Sequence, residues 1–143
     1  VVLFRTHAYT TKLLGVEFNE FCRDFCSYPV INDLFKVADV LISDYSSTII
    51  EAGICNKIGM FFATDLESYK KDRDFYIPLE KFPFPLAKNS DELVSNILSF
   101  DDKIYHEALN SFFYGEYGLC AKKNSSELIV DRVLNEMGVV ESL

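Results

Sequence analysis

Val40 to Gly53 read VLISDYSSTIIEAG, and this stretch decides the fold. Val40-Leu41-Ile42-Ser43 is a short run rich in β-branched types, the pattern of a strand buried inside a parallel sheet. Asp44-Tyr45-Ser46-Ser47 is a turn, and a helix follows at once over Thr48–Cys55, broken by Asn56-Lys57. A further buried strand is expected over Ile58–Ala63, so the chain alternates strand, turn, helix, strand. Such alternation indicates a parallel α/β sheet with Val40–Ser43 at its centre. In such sheets ligands bind beyond the carboxyl ends of the strands.

Working outward, Val1–Thr6 reads as a first buried strand ending at His7, and Phe21–Ser27 as another, closed by Tyr28-Pro29. Asn32 is placed to cap a short helix that offers Leu34, Phe35 and Ala38 for one face. On the other side, Leu66–Lys71 reads as one or two helical turns after Asp65. Residues 73–88 hold Pro78, Pro83 and Pro85 and read as loop. The last third is helical. Ser90 is placed to cap a helix with Leu93, Val94, Ile97 and Leu98 at its apolar positions. The next helix, from about Asp101, carries Ile104, Tyr105, Ala108, Leu109, Phe112 and Phe113 as a stripe. A third opens at Asn124 with Glu127 three residues on, resembling a capping box, and stops at Gly138.

The chain has 143 residues, enough for one domain with a sizeable core, and its 49% hydrophobic content is that of a globular protein. Fourteen basic against 22 acidic residues give a net charge of −8. That excess argues against nucleic acid as a partner, because phosphate backbones need a basic surface. No apolar run approaches the roughly 20 residues that span a bilayer. The start lacks a signal peptide and an initiator Met, so a fragment of a longer chain is expected. Cys22, Cys26, Cys55 and Cys120 do not form a disulfide framework, and no second Cys/His pair stands at zinc spacing; reduced thiols and no metal are expected.

The residue types that carry chemistry gather at strand ends. Ser46, Ser47 and Thr48 bring hydroxyls to a helix start, where unpaired N–H groups suit a phosphate. The alternative is that Ser46 or Ser47 only caps the helix. Asp44 is suited to bonding the N–H groups of its own turn. Glu51, one helical turn beyond Ser47, either accepts ribose hydroxyls or is solvated. His7 stands at the end of the first strand with Arg5 on the same strand face; His7 either meets a phosphate or a proton in transfer, or is a satisfied polar residue. Arg73 either pairs with phosphate or is solvated. His106 lies off its helix's apolar stripe and is expected to be exposed and inert.

The run YPVINDLFKVADVLISDYSSTIIEA resembles the CDP-glycerol glycerophosphotransferases, the teichoic acid polymerase family, whose members read Y-P-x-I-N-D-L-Y, a strand, then D-Y-S-S. IGMFFATDLESYKKDRDFY is similar to the family's P-I-x-F-F-x-x-D-L-x-x-Y stretch followed by R-G-F-Y. The resemblance covers roughly residues 1–100 and weakens beyond. It departs from the pattern at Asp74, where Gly is usual, at Glu51, where many members have Asp, and in the turn GLCAKKNSS of residues 118–126.

The resemblance implies an α/β fold, a Rossmann-like parallel sheet flanked by helices that forms the C-terminal half of a GT-B glycosyltransferase fold. Residues 1–143 would be one donor-nucleotide-binding domain, its N-terminal half missing. The implied reaction transfers glycerol phosphate from CDP-glycerol, or a related CDP-polyol, to a lipid-linked polyol-phosphate acceptor. By motif, Ser46 and Ser47 contact the donor phosphates, Arg73 faces phosphate and His7 is implicated in catalysis. No cofactor is implied. The implied location is cytoplasmic, peripheral at the inner face of the bacterial membrane. The alternatives are a GT-B sugar-nucleotide glycosyltransferase or epimerase domain, and a non-catalytic nucleotide-binding remnant.

Overall fold

The computed structural model describes residues 1–6, 15–73, 75–116 and 124–138. His7, Asp74, Cys120 and most of the 118–126 turn therefore lie outside the described residues. The chain divides into two compact units, Val1–Asp39 and Val40–Leu143.

In the first unit, β1 (Val2–Phe4) pairs parallel with β2 (Cys22–Asp24), Val2 opposite Cys22 and Phe4 opposite Asp24. Both strands are shorter than the expected Val1–Thr6 and Phe21–Ser27. The Phe25 N–H still donates to the Phe4 carbonyl at 2.8 Å, and Asp24, the last residue of β2, accepts the Cys26 N–H at 2.8 Å where the chain turns away. Helix α1 (Ile31–Val37) starts one residue before the expected cap. Val30 occupies the cap position and Asn32 lies inside the helix, which buries Phe35.

In the second unit, β3 (Val40–Ser43), β4 (Ile58–Phe62) and β5 (Leu86–Ala87) form a parallel sheet in the order β3-β4-β5. The strand expected at the centre is thus an edge of this sheet, and β4 is its middle. Register follows: Leu41 lies opposite Gly59 and Ser43 opposite Phe61. On this edge only alternate residues of β3 are covered: Leu41 packs on the core while Val40 and Ile42 are exposed. β5 was not expected. Its two residues follow Pro85 directly, and its ladder begins at that proline, whose carbonyl accepts the Phe61 N–H at 2.8 Å. A proline carbonyl accepts as well as any other.

Helix α2 (Thr48–Ile54) buries Ile49, Ala52 and Gly53. Two glycines set how closely it packs. A Cβ on Gly53 would stand 2.8 Å from carbons of both Phe84 and Phe113, and one on Gly59 would stand 2.9 Å from Ile49. The core joins Ile49 and Phe61 to Leu66 of α3 (Leu66–Asp72), to Phe84, and to Tyr105 and Leu109 of the later helix. Phe82 and Phe84, from the proline-rich connection, stack with ring centroids 6.0 Å apart. Phe61 meets the edges of both, at 5.8 and 5.5 Å. The segment read as loop therefore supplies core.

Helix α4 (Ser90–Leu98) is capped by Asn89, whose side chain accepts from the Glu92 N–H at 2.9 Å, so Ser90 is the first helical residue and not the cap. Helix α5 (Asp102–Asn110) is capped by Asp101, which accepts from the Ile104 N–H at 3.0 Å. It continues as a π-helical turn, Ser111–Glu116. Its buried stripe is Tyr105, Leu109, Phe112 and Phe113, while Ile104 and Ala108 face outward. Helix α6 (Ser125–Glu136) is capped by Asn124 through the Ser126 N–H at 3.1 Å and ends at Gly138, whose φ of +69° favours glycine.

Candidate donor-phosphate site

Ser46, Ser47, Thr48 and Glu51 all lie where β3 hands over to α2. Asp44 makes the turn, accepting the Ser46 N–H on its carboxylate at 3.2 Å, as its residue type suggests. Ser46 donates its hydroxyl to Thr48 Oγ1 at 2.8 Å and accepts the Thr48 N–H at 3.3 Å. Ser46 therefore does close the first helical turn. Ser47, at the cap position itself, has φ −59° and ψ −15° and makes no capping bond with its side chain. Helical dihedrals aim its hydroxyl away from the N–H groups that a cap would serve. Ser47 and Glu51 are exposed, and neither side chain has a hydrogen bond among the described residues. The hydroxyls and N–H groups at this strand end suit an oxyanion.

Arg73 ends α3, on the connection that leaves β4. Its N–H donates to the Tyr69 carbonyl at 2.8 Å, and its side chain is exposed. The connections after β3 and β4 are tied together by residues that the sequence did not single out for function. Tyr45 donates its hydroxyl to Asp65 Oδ1 at 2.6 Å. Its ring stacks on Tyr69 at 3.9 Å, and Phe75 stacks on Tyr69 at 5.2 Å. Burial, with the Asp65 hydrogen bond second, pushes the Tyr45 hydroxyl well above the usual phenol range. No local sequence pattern signals this link, because Asp65, Tyr69 and Phe75 are all at least 20 positions from Tyr45.

Arg5 belongs to the first unit. Its guanidinium donates to the Tyr28 carbonyl, which joins the end of β1 to the start of the α1 connection. His106, expected to be inert, is partly buried and engaged: Nδ1 lies 3.0 Å from Asn56 Oδ1, and Nε2 lies 3.4 Å from Asp102. It straddles the break after α2, where Asn56 has φ +58°. Cys22, Cys26 and Cys55 are free thiols.

A parallel sheet flanked by helices, with hydroxyls gathered on the connection after a strand, is the build of a Rossmann-like half of a GT-B transferase. Residues 1–135 match the model of the CDP-Glycerol:Poly(glycerophosphate) glycerophosphotransferase family, and the chain belongs to that family. It is 36% identical over 137 residues to a teichoic acid poly(ribitol-phosphate) polymerase of Bacillus spizizenii, covering 94% of this chain and 22% of that protein. The structure of the wall teichoic acid polymerase TagF matches with a TM-score of 0.68 at 28% identity, over 96% of this chain and 34% of TagF. A TagF variant soaked with CDPG matches at 0.60 and 27% identity, over 92% of this chain and 32% of that one. The chain thus spans about a fifth to a third of the relatives it matches.

Proposed function

We propose that this chain supplies the donor-binding half of a polyol-phosphate transferase. It holds a CDP-polyol, CDP-glycerol foremost, while the polyol phosphate passes to a growing polyol-phosphate chain on a lipid-linked acceptor. The observation that carries this reading is the family match over residues 1–135. The ribitol-phosphate relative widens the donor class from CDP-glycerol to CDP-polyols.

In this reading an acceptor hydroxyl attacks the donor's β-phosphorus. A P–O bond forms to the acceptor, the bridging P–O bond breaks, and CMP leaves. The hydroxyl's proton goes to a base in the N-terminal half of the same protein. Charge on the phosphate oxygens is met by Ser46, Ser47, the N–H groups that begin α2, and Arg73. With the donor bound, the Ser46 hydroxyl turns its proton from Thr48 Oγ1, 2.8 Å away, to a phosphate oxygen. Glu51 accepts ribose hydroxyls, and in this reading His7 is assigned to catalysis by the family motif and Arg5 to substrate binding. The same reading assigns residues 1–143 to donor binding, at the inner face of the bacterial membrane. No helix among the described residues is long and apolar enough to cross a membrane.

Calorimetry with CDP-glycerol and CDP-ribitol tests the reading. Replacing Ser46 and Ser47 together with Ala should weaken binding by about 1–3 kcal/mol, the scale of hydrogen bonds to charged groups. Unchanged affinity with an intact fold would leave the serines a purely structural turn. Failure of the parent protein to bind either nucleotide would refute the assignment.

A further inference from the structure

Asp65 occupies the cap position of α3, yet its side chain makes no capping bond. Asp is among the best helix caps, and a cap contributes on the order of 1 kcal/mol to a helix. The carboxylate instead accepts the Tyr45 hydroxyl at 2.6 Å, the length of a charge-assisted bond. A purely stabilising design would use Asp65 locally. Here it reaches across to the connection after β3.

The rings extend that link. Tyr45 stands in sequence between Asp44, which shapes the serine turn, and Ser46 itself. Tyr69 and Phe75 bracket Arg73 in sequence, and the Arg73 N–H is held by the Tyr69 carbonyl at 2.8 Å. Tyr45 lies 3.9 Å from Tyr69 and 5.6 Å from Phe75 between ring centroids. Both rings that flank Arg73 are therefore packed on the residue that precedes Ser46.

We propose that Tyr45, locked by Asp65 and by the Tyr69–Phe75 stack, is a positioning residue that sets the spacing between the Ser46–Ser47 turn and Arg73. The inference rests on the reading of those three residues as donor-phosphate contacts. Tyr45 touches no substrate in this scheme. It holds two connections in one register, so that both meet the same pyrophosphate as charge grows on it. Misplacement of a phosphate-facing group by a fraction of an ångström to 1 Å costs about ten- to a hundredfold in rate.

The test is CMP release by the complete protein from its CDP-polyol donor, with thermal melting of each variant alongside. Tyr45→Phe keeps the stack and removes the bond to Asp65; it should lower kcat about tenfold with KM changed less than about threefold. Asp65→Ala should match it, and the double variant should be no worse than either single. Asp65→Asn retains an acceptor and should restore most of the rate. A kcat within twofold of the parent for both Tyr45→Phe and Asp65→Ala overturns the proposal. So does a loss of activity fully accounted for by a lower melting temperature. If in that case Ser46→Ala with Ser47→Ala still abolishes turnover, the phosphate-site reading stands and only the positioning role falls. If those serine variants also keep full activity, the phosphate-site reading fails as well.

Discussion

Tyr105→Phe removes one oxygen atom from the hydrogen-bond ladder along β4. Along β4, the N–H of Phe61 donates to Pro85 and that of Ala63 to Ala87, each at 2.8 Å. The Gly59 N–H points the same way, two residues earlier, beyond the start of the short β5. The Tyr105 hydroxyl fills that place, accepting the Gly59 N–H at 2.8 Å and donating to the Lys57 carbonyl at 3.0 Å. Tyr105 is only 5% exposed and Gly59 is buried, so water does not readily replace the lost oxygen. Phenylalanine leaves the ring packing intact and creates no cavity. The loss is that of a buried donor left without a partner, about 1–3 kcal/mol. Taking about 2 kcal/mol and a urea slope of about 2 kcal/mol/M, the unfolding midpoint should fall by about 1 M. Hydrogen exchange at the Gly59 amide should accelerate in parallel. A midpoint shift below about 0.25 M, with the Gly59 amide still protected, would refute the claim that Tyr105 completes the ladder.

Gly53→Ala should destabilise by about 1–2 kcal/mol by the same measurement; helix propensity favours Ala by about 1 kcal/mol, but crowding against Phe84 and Phe113 at 2.8 Å costs more. Burial raises the Tyr105 pKa above its ordinary value of 10.0. The folded state therefore holds this proton more tightly than the unfolded chain. Its contribution is complete below about pH 10 and is lost as pH rises toward the folded value, so stability should decline above pH 10, less steeply in Tyr105→Phe. In the complete protein His7→Ala should lower kcat in CMP release more than it weakens donor affinity, whereas residues 1–143 alone should bind donor without turnover; full activity of either would remove the corresponding assignment.

The strand, turn and helix around Asp44 were legible because three local signals agree there: a β-branched run, an Asp-started turn and a hydroxyl-rich helix entry. The edge position of β3 was not legible, since strand order depends on pairings distant in sequence. β5 escaped because two residues behind a proline carry no periodicity. The α4 cap moved by one residue because Asn89 and Ser90 are both capable caps and only packing chooses between them. Ile104 and Tyr105 are adjacent, and the local pattern does not tell which enters the core; Tyr105 does, with its hydroxyl accepting the Gly59 N–H from a strand 46 positions away. The placement of the serines, Thr48 and Glu51 at the start of α2 was legible from the motif. Tyr45 was not, because its role arises from Tyr69, Phe75 and Asp65, all at least 20 positions away.

Surface connections usually tolerate added residues, since lengthening a flexible loop costs little entropy. The Phe82–Pro85 connection breaks that rule. Phe84 sits in the hollow left by Gly53 and Gly59, and Phe82 rests 5.1 Å from Phe112. One residue inserted between them would carry one ring off its seat and slide Pro85 away from the Phe61 N–H. The permissible length of this segment is therefore as narrow as that of a strand, and a tag or insertion placed there on the strength of its prolines would empty the core.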